Sequence, residues 1–344
     1  MKIDTLLSGL EEAPEHARRL EALGVDGAFT FEGPHDVFTP LVLAAGATTG
    51  LELATNVAIA FPRNPVQLAH QAYDLHQLSG GRFTLGLGSQ IRAQVEKRYG
   101  APFDRPIARM REMVAALRAI FATWETGEPL DFRGEFSSHT LMPPMFNPGP
   151  LPFGMPPIAI GGLGPQMVRL AAEVADGLLV MPFNTVDHFR QRTLPSVEEG
   201  LARAGRKRSE LTVTGEVIVC CGRTHEEMET ARLAGRWLLS FYASTPAYRP
   251  VLEVEGWEGL QPELNRLSKL GRWDEMPAVI DDAMLSKLAS VGSPEEVAAD
   301  IATRFGGQVD RVGFYTPYLV ADETLGELVS ELKQPRAGAV GGRP

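Results

Sequence analysis

The chain has 344 residues, 44% hydrophobic and 22% charged, with a net charge of −10 and a pI near 5.3. This composition supplies a large core, and the acidic balance excludes nucleic acid or an anionic membrane as the main partner. No apolar run reaches the roughly 18–20 residues of a bilayer span, and the N-terminal "MKIDTLLSGLEEAPEHARRLEALG" lacks a basic-then-apolar leader, so a cytoplasmic protein is expected.

In chain order, short apolar runs alternate with helical patterns. The predicted strands are "KIDTLL" (2–7), "GAFTF" (27–31), "LELATNVAIA" (51–60), "RFTLGLGS" (82–89), "PIAIGG" (157–162), "GLLVMP" (177–182), "LTVTGEVIVC" (211–220) and "DRVGFYTPY" (310–318). Eight strands, each followed by helical sequence, point to parallel β/α units and an α/β fold, a (β/α)8 TIM barrel, rather than a sandwich. The clearest helix runs from Pro106 to Trp124, where Ile107, Met110, Val114, Leu117, Phe121 and Trp124 recur on one face. Another opens at "SPEEVAADIATRF", with Ser293 as N-cap, Pro294 in the first turn and Glu296 completing a capping box. A short internal echo, "LGVDGAFTF" against "EVADGLLVMP", ends a helix on Asp-Gly and enters a strand in each half.

Two segments fit poorly as β/α units. Residues 125–157 are rich in Pro, Gly, Phe and Met, and residues 242–275 hold Tyr242, Tyr248, Trp257 and Trp273 between turns. Both are expected to be insertions, serving as lids or binding loops, in one barrel spanning 1–333. The tail 334–344 is expected to be mobile. Cys220 and Cys221 are adjacent and have no partner at zinc-ligand spacing, so two reduced thiols are expected.

In such a barrel the chemistry lies at the C-terminal ends of the strands. There the sequence offers "FEGPHDVF" with Glu32, His35 and Asp36, then Asn56 before the break "FPRNP", then "GLGSQIR", "GGLGPQ" and "MPFN". Asn56 interrupts an apolar run, and a buried amide left unpaired costs about 1–3 kcal/mol. It is therefore either satisfied in the core or turned toward a cavity where something binds. "GLGSQI" lacks the final glycine of a dinucleotide fingerprint and "GGLGPQ" is no Walker loop. Each still follows a strand, and the second opens onto a helix whose first amides suit an anion.

A catalytic metal is not expected. His70 and His76 are six apart on one helix, about 600° of rotation, so they diverge. His16, His139, His188 and His225 stand alone, no G-x-S-x-G elbow occurs, and "RAGRKR" (203–208) reads as a solvated helix end.

"FPRNPVQLAHQAYDLHQLSGGRFTLGLGSQI" and "EVADGLLVMP" after "GGLGP" closely resemble the luciferase-like monooxygenase superfamily, and within it the oxidoreductases that use the deazaflavin coenzyme F420. The likeness runs from Met1 to about residue 333. It implies a barrel with insertions, often a homodimer, with F420 or FMN at the strand C-termini and a separate flavin reductase in the FMN case. It implies a non-proline cis peptide at Asn56–Val57 against the ring, with Asn56 hydrogen-bonding the ring's polar edge. Gly88, Ser89, Gln90 and Gln94 would meet the ribityl chain or phosphate, and Gly161, Gly162, Leu163 and Gly164 would line the phosphate. His35 falls near the family's histidine on the reactive face, with Glu32 placed to orient it. Ile91 stands where sugar-phosphate-oxidising relatives carry an acid, which argues against that substrate class. Phe61, Phe183, Tyr242 and Trp257 are expected to wall a small organic substrate, alcohol- or enone-like. An FMN-dependent monooxygenase and a silent flavin-binding homologue are the alternatives.

Overall fold

Apolar runs of four to ten residues that are buried on both faces suit parallel strands covered by helices. The structure, a computed structural model, describes residues 1–334. The expectation for the tail falls, from residue 335 on, outside them. The barrel strands are β1 (Lys2–Leu6), β2 (Gly27–Thr30), β3 (Glu52–Thr55, resumed at Ala58–Ile59), β4 (Phe83–Gly88), β5 (Ile158–Gly162), β6 (Gly177–Val180), β7 (Thr212–Cys221) and β8 (Arg311–Tyr315). Every neighbouring pair is parallel. β6 pairs with β7, and β8 pairs with both β7 and β1, so the sheet closes into the expected eight-stranded barrel with helices outside.

The Asp-Gly echo has a structural cause at the foot of the barrel. The Oδ2 atoms of Asp26, Asp176 and Asp310 each accept a hydrogen bond of 2.8 Å, from the backbone N–H of Ile3, Ile158 and Val213. Each aspartate's own N–H donates back to the carbonyl of the same partner. The carboxylate thus pairs an amide at the first or second residue of a neighbouring strand, a group that is costly to bury unpaired. The motif marks strand starts three times, once without a following glycine.

Inside the lower barrel, Arg311 on β8 makes a two-pronged pair with Asp4 on β1 and also reaches Glu52 on β3 at 2.6 Å. Gly27 leaves room for it, because a Cβ there would sit 2.4 Å from the Asp4 carboxylate and 2.9 Å from the guanidinium. Arg311 therefore ties three strands across the closure.

The two irregular segments take different places. Residues 127–157 leave the Pro106–Thr126 helix at the foot and return to β5 there, so they do not cover the strand C-termini. Their hairpin, Phe132–Arg133 with Ser138–His139, lies against that helix, where the Glu112 carboxylate accepts the N–H groups of Glu135, Phe136 and Ser137. The rest packs on Trp124 through Met142 and on His76 through Phe153. The second segment, entered from the His225–Ala243 helix, builds a satellite apolar cluster with Phe183, Ile218 and Cys220 beside the strand C-termini. Besides the two hairpin strands, Ala289–Gly292, which pairs with the last four residues of β7, is absent from the predicted strands.

Replacing Arg311 by Ala leaves Asp4 buried without its counter-charge, and breaking such a pair costs about 3–5 kcal/mol. Urea unfolding of Arg311→Ala at neutral pH is expected to show a loss of that order with an unchanged m-value.

Candidate active site

The centre of the site is a fault in β3. Ala54 pairs with Thr84 and Ala58 with Leu87, so Thr55, Asn56 and Val57 stand opposite only Leu85 and Gly86. That is a β-bulge, which turns side chains out of their alternation. The Asn56–Val57 peptide within it is cis. The Thr55 hydroxyl replaces the lost ladder bonds by donating to the Gly86 carbonyl (2.7 Å) and accepting its N–H (2.9 Å). Val57 lies over β4 and β5, where Cβ atoms at Gly88 and Gly161 would approach its methyl groups to 2.2 and 2.9 Å. These glycines are needed for the close approach of Val57.

The bulge turns Asn56 into the barrel, where its Nδ2 donates to Oε1 of Glu216 on β7 at 2.5 Å. The amide nitrogen thus has a protein partner across the barrel, while no protein group bonds Oδ1. Glu216 is 5% exposed. Burial pushes its carboxyl pKa up to about 8, the Asn56 bond pulls it down in part, and the charge of Asp4 adds to the rise. Asp4 and Glu216 both align with Gly313, which carries no side chain between them. Glu216 is thus a carboxylic acid still protonated at neutral pH. Tyr315 and Tyr242 stand near it and each other, and burial raises both phenol pKa values. Sequence reading missed Glu216, Asp4 and Tyr315. The available signal was an acid amid apolar strand residues, in "TVTGEVIVCC" and in "KIDTLL".

The loop after β2 is differently arranged from its expectation. Glu32 does not orient His35. Its carboxylate takes both Arg63 nitrogens at 2.8 Å and the N–H of Ile59 at 3.0 Å, tying the loop to the "FPRNP" break. Asp36 caps the Thr39–Ala47 helix by accepting from Phe38 and Thr39, and burial raises its pKa less than these bonds lower it. His35 is exposed on this loop. Ser89, Gln90 and Gln94 are half-buried just beyond β4. Gln90 has a φ of 55°, and its side chain accepts the N–H of Ile91 at 2.9 Å.

Of the expected substrate wall, Phe183, Tyr242 and Trp257 meet in the satellite cluster, with the Phe183 ring 6.0 Å from those of Tyr242 and Tyr248. Phe61 is apart, packed on Phe103 at 5.7 Å. Cys220 and Cys221 are buried and free, their thiols pushed up to about 12 chiefly by burial. Among the described residues no three His, Cys, Asp or Glu side chains are placed to hold a metal, and no helix is long and apolar enough to cross a membrane.

A parallel barrel with an acid under a bulged strand and glycines at the next two strand ends defines a class. A sequence model of the luciferase-like monooxygenase family matches residues 3–311. The chain belongs to that family and is an oxidoreductase-type enzyme. It is 46% identical to a Mycobacterium tuberculosis protein over 91% of this chain and 92% of that one. It is 30% identical to another protein of that organism, named as a coenzyme F420-dependent oxidoreductase, over 86% of this chain and 88% of that one. A coenzyme F420-dependent tetrahydromethanopterin reductase from Methanopyrus kandleri shares the fold, with a TM-score of 0.81 at 20% identity over 96% and 97% of the two chains.

The residues present fit a flavin or deazaflavin. The ten-residue helix Pro165–Val174 begins at the mouth with Gly164 as N-cap, has no side-chain cap, and has open space beyond it. Pro165 has no N–H and Met167 and Val168 donate to the Gly164 carbonyl, so the Gln166 N–H is the first-turn amide left to suit a phosphate, with Val57 and the Gly88 and Gly161 strand ends beside it.

Gly88→Ala forces Val57 aside and is expected to cost about 1–3 kcal/mol by overpacking. Thermal unfolding of the double variant Val57→Ala/Gly88→Ala should recover most of that loss, since contacting pairs are non-additive.

Proposed function

We propose that the protein is an F420-dependent oxidoreductase that moves a hydride between the deazaflavin and a small alcohol- or enone-like organic substrate. The observation that carries this reading is Glu216, a buried acid fixed by Asn56 directly under the β3 bulge. Its support among relatives is the F420-dependent name borne by the protein at 30% identity. The bound cofactor would supply the carbon that gives or takes the hydride, which is its own chemistry.

The chain's residues have separate tasks in this proposal. Hydride transfer to a carbonyl or enone completes one C–H bond and leaves an oxygen or carbon one proton short. Glu216, carrying its proton on a carboxyl oxygen at neutral pH, is the group assigned to supply it, and to take it back in alcohol oxidation. Asn56 holds that carboxyl at a fixed position. Phe183, Tyr242 and Trp257 would exclude water from the reacting face, with Phe61 on the far side. Gly161, Gly162, Leu163 and Gly164, with Ser89, Gln90 and Gln94, would hold the cofactor's phosphate and its linker. His35, at the rim, remains a proposed proton-carrying residue for exchange with solvent. A homodimer in the cytoplasm is the proposed working form.

F420 fluorescence is expected to be quenched saturably by the protein, with FMN binding weaker. Tighter FMN binding together with oxygen uptake from reduced FMN would replace this reading by a two-component monooxygenase. If His35→Ala turns over like the parent, His35 leaves the mechanism.

Carbonyl reduction is expected to fall as pH rises through about 8, where Glu216 loses its proton. Folding raises this pKa from 4.5, so the native state binds the proton more tightly, and stability falls as pH rises from about 4.5 through about 8. Glu216→Gln should flatten that fall in denaturant midpoint while abolishing the pH-dependent limb of turnover.

A further inference from the structure

β7 has a gap along one edge. Its even-numbered residues turn their peptide groups toward β6: the Thr212 N–H donates to the Asp176 carbonyl at 2.9 Å, and just past the strand the Gly222 N–H donates to Gly292 at 3.2 Å. The pairing with β6 ends at Gly215 opposite Val180, and Ala289–Gly292 takes its place only from Ile218 on. Glu216 falls between them. Met181 still follows the β6 path, its N–H donating to Gly162 on β5, so residue 182 is the one due to donate to the Glu216 carbonyl. That residue is Pro182, which has no N–H.

A small cavity of about 10 Å³ lies at this gap, with Pro182, Asn184, Thr185, Glu216 and Arg304 among its walls. Asn184 is 8% exposed, and its Nδ2 is buried without a protein partner. Its Oδ1 accepts from Nδ1 of the buried His188 at 2.8 Å, which fixes the amide with its nitrogen free. The Thr185 hydroxyl accepts the His188 N–H at 3.1 Å and keeps its own hydrogen. The Arg304 guanidinium is committed to Asp300 and to the carbonyls of Lys287 and Ala289. An amide donor and a carbonyl acceptor therefore bound the cavity, each costly to bury unpaired. A cation would face Arg304 and the amide hydrogens, and an anion would face the carbonyl. About one water fits this volume, and a water can serve both groups.

We infer that one buried water occupies this cavity, accepting the Asn184 Nδ2–H and donating to the Glu216 carbonyl where the ladder bond is missing, and that Asn184 is through it a positioning residue for Glu216. The water holds the backbone of β7 at the residue whose side chain meets Asn56 across the barrel. It also ties that residue to the loop carrying Phe183, so the acid and the aromatic cluster are set from one point. The water site stands on the fold alone, whereas the value of positioning Glu216 rests on its proposed role as proton donor.

The test uses the whole protein without cofactor or substrate. A high-resolution crystal structure of the parent is expected to show one water within hydrogen-bonding distance of Asn184 Nδ2 and the Glu216 carbonyl oxygen; a cavity without it would overturn the inference. The Glu216 carboxyl is then titrated by infrared difference spectroscopy, with Glu216→Gln identifying its band. Asn184→Leu removes the donor to the water. With β7 freed there, the Asn56 bond that lowers the Glu216 pKa weakens, so the midpoint should rise by up to about one pH unit, the size of one hydrogen bond. Pro182→Ala supplies an N–H at the missing rung. Added to Asn184→Leu, it should return the midpoint to the parent value even though His188 stays without its partner. Asp4, Tyr242 and Tyr315, the titratable groups beside Glu216, are the same in all these variants. An unmoved midpoint in Asn184→Leu, or a moved one that Pro182→Ala does not restore, would overturn the positioning role. If Asn184→Leu does not fold, Pro182→Ala alone decides: its N–H should expel the water, and a water still in place would refute the missing rung. F420 that fails to be quenched, alongside the expected water and midpoints, would refute the cofactor reading and leave the water site standing.

Discussion

A carboxyl group placed inside a closed barrel has to find a partner there, and the hydrogen bond from Asn56 to Glu216 meets that demand. Much of the mouth follows from it. For Asn56 to face inward from β3, the strand carries one residue more than its neighbour across the fault. The extra residue puts Val57 over the ends of β4 and β5, and only glycine at 88 and 161 leaves room for it. The hydroxyl of Thr55 then takes over the backbone bonds that the fault would leave open. One polar contact across the barrel and three local adjustments form a single unit.

The two ends of the barrel divide the work. At the foot, charges are spent on the fold: three aspartates complete the ladder, and Arg311 with Asp4 and Glu52 ties the closure. The 127–157 segment belongs to this end, and Glu112 pins its hairpin to the neighbouring helix. At the mouth, the same residue types are left in less settled surroundings. Glu216 is held by one amide and the two phenols stand close by, so its proton is available near neutral pH. The 242–275 segment adds an aromatic cluster at that end, and the His225–Ala243 helix next to it still shows apolar surface.

Chemistry in this family is supplied by a bound ring, and the protein's share is position, dryness and proton supply. In the proposed reaction position would come from the shelf made by Val57 and two glycines, together with the helix start at Gly164. In that reaction dryness would come from Phe183, Tyr242 and Trp257, which share one apolar cluster though they lie far apart in the chain. The proposed proton source, Glu216, is a strand residue that a motif search passes over, because an isolated glutamate in a strand has no spacing to recognise.

By itself the sequence determined what depends on near neighbours. Strand and helix periods, the Ser293–Glu296 capping box and the Asp-Gly starts are set within one or two turns of chain, so eight strands and a closed barrel were legible. The glycines after β4 and β5, and the interruption at Asn56, also marked the mouth. Only the tertiary structure decided who meets whom. Asn56 and Glu216 are 160 residues apart, and Glu32 belongs to Arg63 rather than to His35 three residues away. Likewise the 127–157 segment lies at the foot because its two anchors, the end of one helix and the start of β5, are both there. Local pattern is a property of the backbone period, whereas a buried pair is chosen by barrel closure, which brings distant strands side by side and leaves each polar group to the partner within reach.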